Sequence, residues 1–559
     1  MNGILKASNK GQAITSRKWG DSDVTKWLKS AAIGAVLALE VGAFVQAQEP
    51  VDLDMVNRIR DEGFNKSEVM DVLRYLTDNI GPRLTGTPAM LEANNWTKEK
   101  LTEWGLEDAR LEGFEFGRGW TGDRAEVFMI APRRTQLYAL PLAWHPGTDG
   151  VIEGEVIHAP MRSRDDFEQW EGKLRDKIVF VSRLPSQQPS TGEVFVRHDE
   201  EALGKIATFV PPEEGREHAG FEGWIRYKSF FYELEQFLAK EGAKAMVRRS
   251  PDKAMLIDAS SYLYKTEYPA KVPGIGLAYE HYARAVRLME DGETVSLSID
   301  VDATFYAEDT KSYSTLADIP GQGRRSGIVL AGAHLDSWFA GDGAVDNAAG
   351  VAVVMEAVRI LKAIGVEPLR TIRVGLWGGE EQGFYGSQQY ALDHLVTRPE
   401  NRSPRLKYMS TYERFYNQFP IRKKREFDRF SAYFNLDNGS GKIRGIYAER
   451  NSAIVPIFEA WLKPFHDLGA ETVTLNSTDG TDHEVFDDIG LPGFQFIQDP
   501  LNYDTQLHHS QVDTFGHAYE EDLMQASVIM ASFLYHAAMR EENLPRKPMP
   551  TGTPSVVRE

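Results

Sequence analysis

The sequence predicts an α/β fold: a mixed, mainly parallel sheet flanked by helices, interrupted by a smaller, mostly β unit. Three observations predict it. From about residue 310 short apolar strands alternate with loops and amphipathic helices, the pattern of βα repeats. Between 151 and 305 the texture changes to short β-branched extended runs. The chain has 559 residues, enough for several domains with a large buried core.

Residues 1–47 come first and read as a secretory signal peptide. Six basic residues, from Lys6 to Lys29, precede the apolar stretch Ala31–Ala47, and Val45-Gln46-Ala47 has a small-x-small ending. The basic region is long and Glu40 interrupts the apolar core. Export to a periplasmic or extracellular location is the expectation. Residues 48–150 form the first part of the main domain. The run Ser67–Leu76 has apolar residues at helical spacing. Gly81–Pro88 breaks it as a loop, and a second helix follows from about Ala89 to Gly105.

The interrupting unit, 151–305, contains the buried-strand run Lys177–Val181, a helix over about Phe231–Glu241 ended by Gly242, and extended segments at 272–276 and 295–299. Its length is that of an ordinary domain. The last large region, 306–545, places strands at 328–331, 371–376, 432–436 and 494–497, with a helix over Val351–Ile364. The basic stretch 396–430 reads as solvated loops and helix faces. The tail, Pro-rich from Glu542 and counted as flexible over 546–559, is expected to be loosely ordered.

Composition narrows the function classes. Apolar residues are 42% and charged residues 26%, the balance of a soluble globular protein. With 63 Lys and Arg against 82 Asp and Glu the net charge is −19, which repels phosphate backbones and argues against nucleic-acid binding. There is no cysteine, so thiolate metal sites, disulfides and cysteine nucleophiles are excluded. Past residue 47 no run reaches the ~18 apolar residues of a membrane span.

The chemistry concentrates at predicted strand ends. Ala333-His334-Leu335-Asp336, Trp377-Gly378-Gly379-Glu380-Glu381 and Asn435-Leu436-Asp437 each end a strand in metal-type ligands. Open α/β sheets bind ligands outside the carboxyl ends of their strands, so these groups should converge. Gly343–Asn347 places Asp346 at a helix amino terminus, and His508-His509-Ser510-Gln511-Val512-Asp513-Thr514 follows the last strand. Taken singly these are ordinary features: His-x-Asp and Glu-Glu are common surface polar groups, Asp-Asn a helix cap, Asp-Asn-Gly a turn. Together His334, Asp346, Glu381, Asp437 and His509 make an N/O ligand set that suits Zn²⁺, with Mn²⁺ or Co²⁺ as alternatives. One carboxylate could bridge two ions about 3.5–4 Å apart. Of the adjacent pair Glu380 and Glu381, one can bind metal while the other acts as a base. Asp336 can hold the second imidazole nitrogen of His334.

As an ordered set these motifs resemble the two-zinc aminopeptidase family of metallopeptidases, in the branch of plasma glutamate carboxypeptidase and its bacterial relatives. The pattern is His-x-Asp, Gly-x-x-Asp-Asn, Glu-Glu, a strand-end Asp, and His-Ser-x-x-Asp-Thr, all present here in order. The resemblance implies the zinc exopeptidase fold, with 151–305 similar to a protease-associated domain. It implies two Zn²⁺ per chain: one on His334 and Asp437, the other on Glu381 and His509, with Asp346 bridging. Glu380 would be the general base and Asp336 would orient His334. Asp513 would be a structural cap. Where some relatives carry Tyr before the ligand His, this chain has His508, a candidate oxyanion or substrate contact. Asp482-His483 resembles a Ser-Asp-His segment near family substrate pockets, with Thr481 in place of Ser.

The implied activity is metal-dependent hydrolysis of short peptides from the amino end, by an aminopeptidase or dipeptidase acting as monomer or homodimer. A carboxypeptidase on the same site is the nearest alternative. A glutaminyl-cyclase-like acyltransferase, with one zinc, and a non-catalytic binding ectodomain that shares the fold are the others. The complete five-ligand set argues against both of the latter.

Overall fold

The computed structural model describes residues 49–185, 192–212, 216–251, 254–322 and 327–552. The signal-type stretch at 1–47 lies outside the described residues. The description below concerns the unit Val51–Glu559.

Two helices open it. Helix α1 (Leu53–Asn65) starts where the Asp52 carboxylate accepts the Met55 N–H at 3.0 Å, and α2 (Val69–Arg74) follows. Helix α3 (Pro88–Glu103) is capped by Thr87 and has Pro at its first position, where the missing N–H costs nothing.

The main sheet has eight strands: β1 (Glu107–Glu115), β2 (Lys311–Ile319), β3 (Ile328–His334), β4 (Thr371–Trp377), β5 (Phe430–Asn435), β6 (Ile443–Tyr447), β7 (Thr472–Thr474) and β8 (Gly493–Gln498). Their order is β1-β2-β4-β3-β5-β8-β6-β7. The central run β4-β3-β5-β8 is parallel, and antiparallel pairs join β1, β2 and β6 to it. The fold is thus the expected mixed α/β sheet, parallel where strand ends must converge.

Every residue of β3 is buried, as a strand covered on both faces requires. On one face Val329, Ala331 and Ala333 join the core of helices α4 (Ala349–Ala363) and α5 (Glu520–Met539). On the other, Ile328 and Leu330 pack with Trp377, Tyr390, Phe430 and Phe486. Helix α4 is buried on all sides from Ala349 to Leu361. Its two charged residues in that span neutralise each other: Arg359 bonds Glu356 at 2.7 Å and Glu62 of α1 at 3.0 Å.

A second eight-stranded sheet uses residues 119–306. Gly119–Ala131 pairs antiparallel with Ser296–Tyr306 along most of its length, so this sheet starts well before residue 151. Its middle strands, Ile152–His158, Ile178–Phe180, Ala245–Arg249 and Gly274–Leu277, are parallel. Parallel pairs need crossovers, which here include the helix Arg216–Glu241, extended to its amino side to more than twice the length the sequence suggests.

Two expectations need correction. Residues 396–430 are not simply solvated. Val396–Thr397 pairs with Arg422–Lys423, and Tyr412 and Glu413 on the short helix Thr411–Phe415 are buried. The segment after Glu542 is pinned at least to residue 547. Asn451 donates to the Pro545 carbonyl at 2.7 Å, Arg546 to the Phe427 carbonyl at 2.9 Å, and Lys547 pairs with Asp487. Among the described residues no helix is long and apolar enough to cross a membrane.

Candidate metal centre

His334 ends β3, Glu380 and Glu381 follow β4, and Asp437 lies just beyond β5. These three neighbouring parallel strands end on the same edge, so the ligands meet without any long reach. The loop after β8 brings His509 over them with φ of 58°, a left-handed conformation unusual for a non-glycine residue.

The geometry is reciprocal. His334 Nε2 lies 3.2 Å from Asp437 Oδ1 and 3.3 Å from Asp346 Oδ1. His509 Nε2 lies 3.5 Å from Asp346 Oδ2 and 3.0 Å from Glu381 Oε2. Asp346 therefore offers one oxygen to each imidazole. The second Glu381 oxygen, Oε1, is buried with no hydrogen-bond partner. His334, Asp346, Glu380, Glu381 and Asp437 are all less than 10% exposed. Four buried carboxylates against two imidazoles leave an excess of negative charge and an orphaned oxygen, a donor set that fits hard or borderline divalent cations.

Proton affinities reflect the crowding. Burial pushes Glu381 up to about 7, with Asp346 adding to the push and His509 opposing it. Burial also drives Glu380 well above the ordinary carboxyl range, reinforced by Asp437, Asp482 and Glu381. Burial alone would lower His509, but Glu381 and Asp346 bring it up to about 9. Asp346, despite burial, is held far down by His334, His509 and His508.

Supporting contacts differ in one respect from expectation. His334 Nδ1 is held by the main-chain carbonyl of Asp336 at 2.9 Å, while the nearer Asp336 carboxylate oxygen stands at 3.7 Å. Donation from Nδ1–H to that carbonyl leaves Nε2 as the ligand nitrogen. The Asp336 carboxylate instead accepts the Glu380 N–H at 3.2 Å, the Glu381 N–H at 3.4 Å and the Thr85 hydroxyl at 3.0 Å. It orients the Glu-Glu turn rather than the imidazole. Asp513 accepts the Val345 and Asp346 N–H groups at 2.7 and 3.0 Å, fixing the Asp346 segment. Asn347, not Asp346, caps α4, accepting the Gly350 N–H at 3.1 Å. His508 is exposed above the centre, its ring 3.8 Å from that of His509 and 5.0 Å from that of Tyr503. Partial desolvation against the neighbouring side chains, together with His509, lowers its proton affinity. His508, His509 and Asp346 also offer a convergent set of ligand atoms.

Further residues support the centre from behind the ligands. Arg83, in the loop read only as a helix break, is completely buried. Its guanidinium donates to the carbonyls of Leu335 and Gly343 at 2.8 Å, Asp342 at 2.8 Å, Gly81 at 2.9 Å and Leu76 at 3.2 Å. Gly343 has φ of 60°, and a Cβ there would stand 2.3 Å from Ser337 Cβ and 3.0 Å from Arg83 Nη2. Asp482 is buried behind the centre, accepts the Ser387 hydroxyl, and is pushed up to about 8 chiefly by burial. Tyr503 lines the cleft, its phenol pushed well up by burial and by the ligand carboxylates. Of these, Gly343 belongs to the Gly-x-x-Asp-Asn motif and Asp482 to the Asp482-His483 segment, whereas Arg83 and Tyr503 carry no motif signal.

The centre opens into a cavity of about 1060 Å³. Its lining includes the acids Glu413, Glu449, Asp479, Glu484, Asp487 and Asp488, the cations Arg450 and Lys547, and His483. Phe221, Trp224, Tyr262, Phe384 and Tyr416 line it as well.

Residues 314–534, which hold every candidate ligand, match peptidase family M28. The match covers this stretch of the chain. Carboxypeptidase Q of Homo sapiens is 27% identical over 476 residues, 85% of this chain and 86% of the relative. Aminopeptidase YwaD of Bacillus subtilis is 24% identical over 499 residues, 87% of this chain and 88% of the relative. Among solved structures, an M28 peptidase precursor from Shewanella amazonensis superposes with a TM-score of 0.62 at 23% identity, covering 89% of this chain and 99% of the other. A zinc aminopeptidase from Bacillus subtilis gives 0.54 at 20% identity, covering 85% and 95%. The M28 match makes this chain a metallopeptidase, a hydrolase acting with metal.

Proposed function

We propose that the chain is a dizinc exopeptidase that removes residues from the amino end of short peptides. The observation that carries the reading is Asp346, whose two oxygens face two imidazoles, each flanked by a further carboxylate. That symmetry supports two ions, one on His334 and Asp437, the other on Glu381 and His509, with Asp346 between. Bound there, the ions supply Lewis acidity that lowers the pKa of a water and polarises a peptide carbonyl.

The protein's own groups do the rest. Glu380 stays outside the ligand pairs and acts as general base, taking a proton from the attacking water and returning it to the leaving amine. Asp336 sets its position through the Glu380 N–H. His508, above the centre, donates to the substrate carbonyl oxygen. Among the acids that line the cleft, burial pushes Glu484 up to about 8 and Glu449 well above the carboxyl range, so Asp479, Asp487 and Asp488 stand against Arg450 and Lys547, a slight acidic excess that favours a free ammonium over a free carboxylate. This supports the amino-end reading. The curated relatives named carboxypeptidase Q keep the carboxyl-end reading as the second one.

In domain terms, residues 48–150 and 306–545 would form the peptidase domain, and 151–305 a protease-associated domain whose sheet borrows strands from residue 119 onward. The signal-type start supports export to a periplasmic or extracellular setting, as a monomer or homodimer.

The test is hydrolysis of aminoacyl-nitroanilides, free dipeptides and N-blocked peptides, each with Zn²⁺, with chelator and with Glu380→Ala. Chelator-sensitive cleavage of free-amine substrates, lost in the variant, is expected. Cleavage confined to blocked peptides would move the reading to a carboxypeptidase. A bound metal content near one per chain would contradict the dizinc centre.

A further inference from the structure

The turn that carries Glu380 is held at both ends. At one end the Asp336 carboxylate accepts the Glu380 and Glu381 N–H groups, and the Gly383 and Phe384 N–H groups close on the Glu380 carbonyl at 2.8 and 3.0 Å. At the other end the Gln382 carbonyl meets two donors from the second sheet's unit. Lys228 Nζ, on the helix Arg216–Glu241, donates to it at 3.1 Å, and the Tyr264 hydroxyl donates at 3.2 Å. Gln382, Lys228 and Tyr264 are all completely buried, so water does not stand in for either donor.

Lys228 is arranged for this contact. Its ammonium bonds Glu413 Oε1 at 2.7 Å and faces the rings of Trp224 and Tyr262 at 4.8 and 5.0 Å. Glu413 is fixed in turn by the Trp224 indole N–H at 2.6 Å and by the Ser410 N–H. A buried ion pair adds little net stability, because well-packed apolar residues of similar volume do as well. What an apolar pair cannot do is donate to the Gln382 carbonyl. Tyr264 follows the same logic. The Tyr385 hydroxyl donates to the Tyr264 oxygen at 3.3 Å, which leaves the Tyr264 proton for Gln382.

We propose that Lys228 and Tyr264 are positioning residues for the general base: through the Gln382 carbonyl, the second sheet's unit sets where the Glu380 carboxylate stands. This rests on the exopeptidase reading, in which Glu380 is the base. A base works only within hydrogen-bond reach of the proton it takes, and a misplacement of about 1 Å can cost on the order of 100-fold in rate. The second sheet's unit is then a working part of the centre, because one end of the Glu-Glu turn has its donors there.

The experiment uses the zinc-loaded full chain with two probes, leucyl-nitroanilide and an N-blocked dipeptide, so that either end of a peptide can be read. The variants are Tyr264→Phe, Lys228→Met/Glu413→Leu and the triple combination. Removing Lys228 and Glu413 together leaves neither charge buried alone. Tyr264→Phe keeps the ring and supplies a folded variant if the pair substitution does not fold. The expected result is a graded fall in kcat, reaching about 10- to 100-fold in the triple variant, with KM and zinc content held and faster amide exchange at 380–384. A kcat within twofold of the parent in Tyr264→Phe and in the folded pair variant overturns the proposal, whatever the change in urea midpoint, and makes the ion pair purely structural. A raised KM with kcat held overturns it too, and places the two residues in substrate binding. Zinc lost together with activity overturns it in favour of a role in holding Glu381. Absence of chelator-sensitive hydrolysis of both probes by the parent protein overturns the exopeptidase reading, and the positioning of a base with it.

Discussion

Arg83 offers a stringent test of how the centre is held. Its three guanidinium nitrogens reach five main-chain carbonyls from three stretches of chain: residues 76–81, Leu335, and 342–343. The last two flank His334 and Asp346. Burial pushes the guanidinium down only to about 10, against the pull of Asp513, Asp336, Asp342 and Asp346, so it stays charged at neutral pH. Arg83→Lys keeps the charge but offers three donors on one point. At least two carbonyls then lose their partner, at about 1–3 kcal/mol each, or roughly 2–6 kcal/mol in all. Because those carbonyls position the ligand loops, the loss should appear as weakened metal binding, with 1.4 kcal/mol corresponding to about tenfold. Competition against a chromophoric chelator measures the affinity, and amide exchange over 335–346 reports the loops. A tenfold or larger loss with faster exchange is expected. Affinity within twofold of the parent, with protection of those amides intact, would show that the clamp does not govern the centre.

Four further outcomes follow from particular contacts. Glu380→Gln should lower kcat by about 10²–10⁴ with metal content unchanged, checked by turnover and elemental analysis; loss of metal with activity would instead make Glu380 a ligand. Chelation should lower the thermal midpoint, because the four buried carboxylates lose their counter-charge, and zinc at about 100 times its Kd should restore about 2.7 kcal/mol in calorimetry. Lys228 is fully buried and bonds Glu413 at 2.7 Å, so Lys228→Met should cost about 3–5 kcal/mol, and Lys228→Met/Glu413→Leu less than the two singles together, read by urea denaturation. His145 is buried against the Val272 carbonyl, and burial, with Arg248 and Arg118 nearby, pushes it down from 6.5 to about 4. The unfolded chain therefore binds the extra proton between those values, and stability falls as pH drops from 6.5 to 4 by about 3 kcal/mol, with no contribution above that window. His145→Gln should remove that part of the pH dependence; identical pH slopes for parent and variant would refute the assignment.

What was legible in the sequence is what a short stretch of chain specifies for itself. A buried parallel strand announces itself by consecutive apolar residues, and the candidate site residues stand at its end or within four positions beyond it. His334, Glu380, Glu381 and Asp437 are all of this kind, and so are the strands that carry them. His509 and Asp346 lie on loops, yet each has a local constraint, a tight turn or a helix start, that leaves a motif. The parts that stayed hidden depend on partners hundreds of residues away. Arg83 looks like any loop arginine until Leu335 and Gly343 close around it. The carboxylate of Asp336 looks like a partner for its neighbour His334, but the backbone carbonyl already fills that role, which frees the side chain to hold the Glu-Glu turn and Thr85.

The same physics explains why the second sheet's boundary was misplaced. Gly119–Ala131 carries too few consecutive apolar residues to stand out, since one face is half-exposed, and only its pairing with Ser296–Tyr306 identifies it as a strand of that sheet. The 194–212 strap is the extreme case: its anchors, Asp499, Asp522 and Asn476, all belong to the other unit. A centre assembled at strand ends is therefore readable residue by residue, whereas a strap anchored on Asp499, Asp522 and Asn476 takes shape only after two distant segments meet.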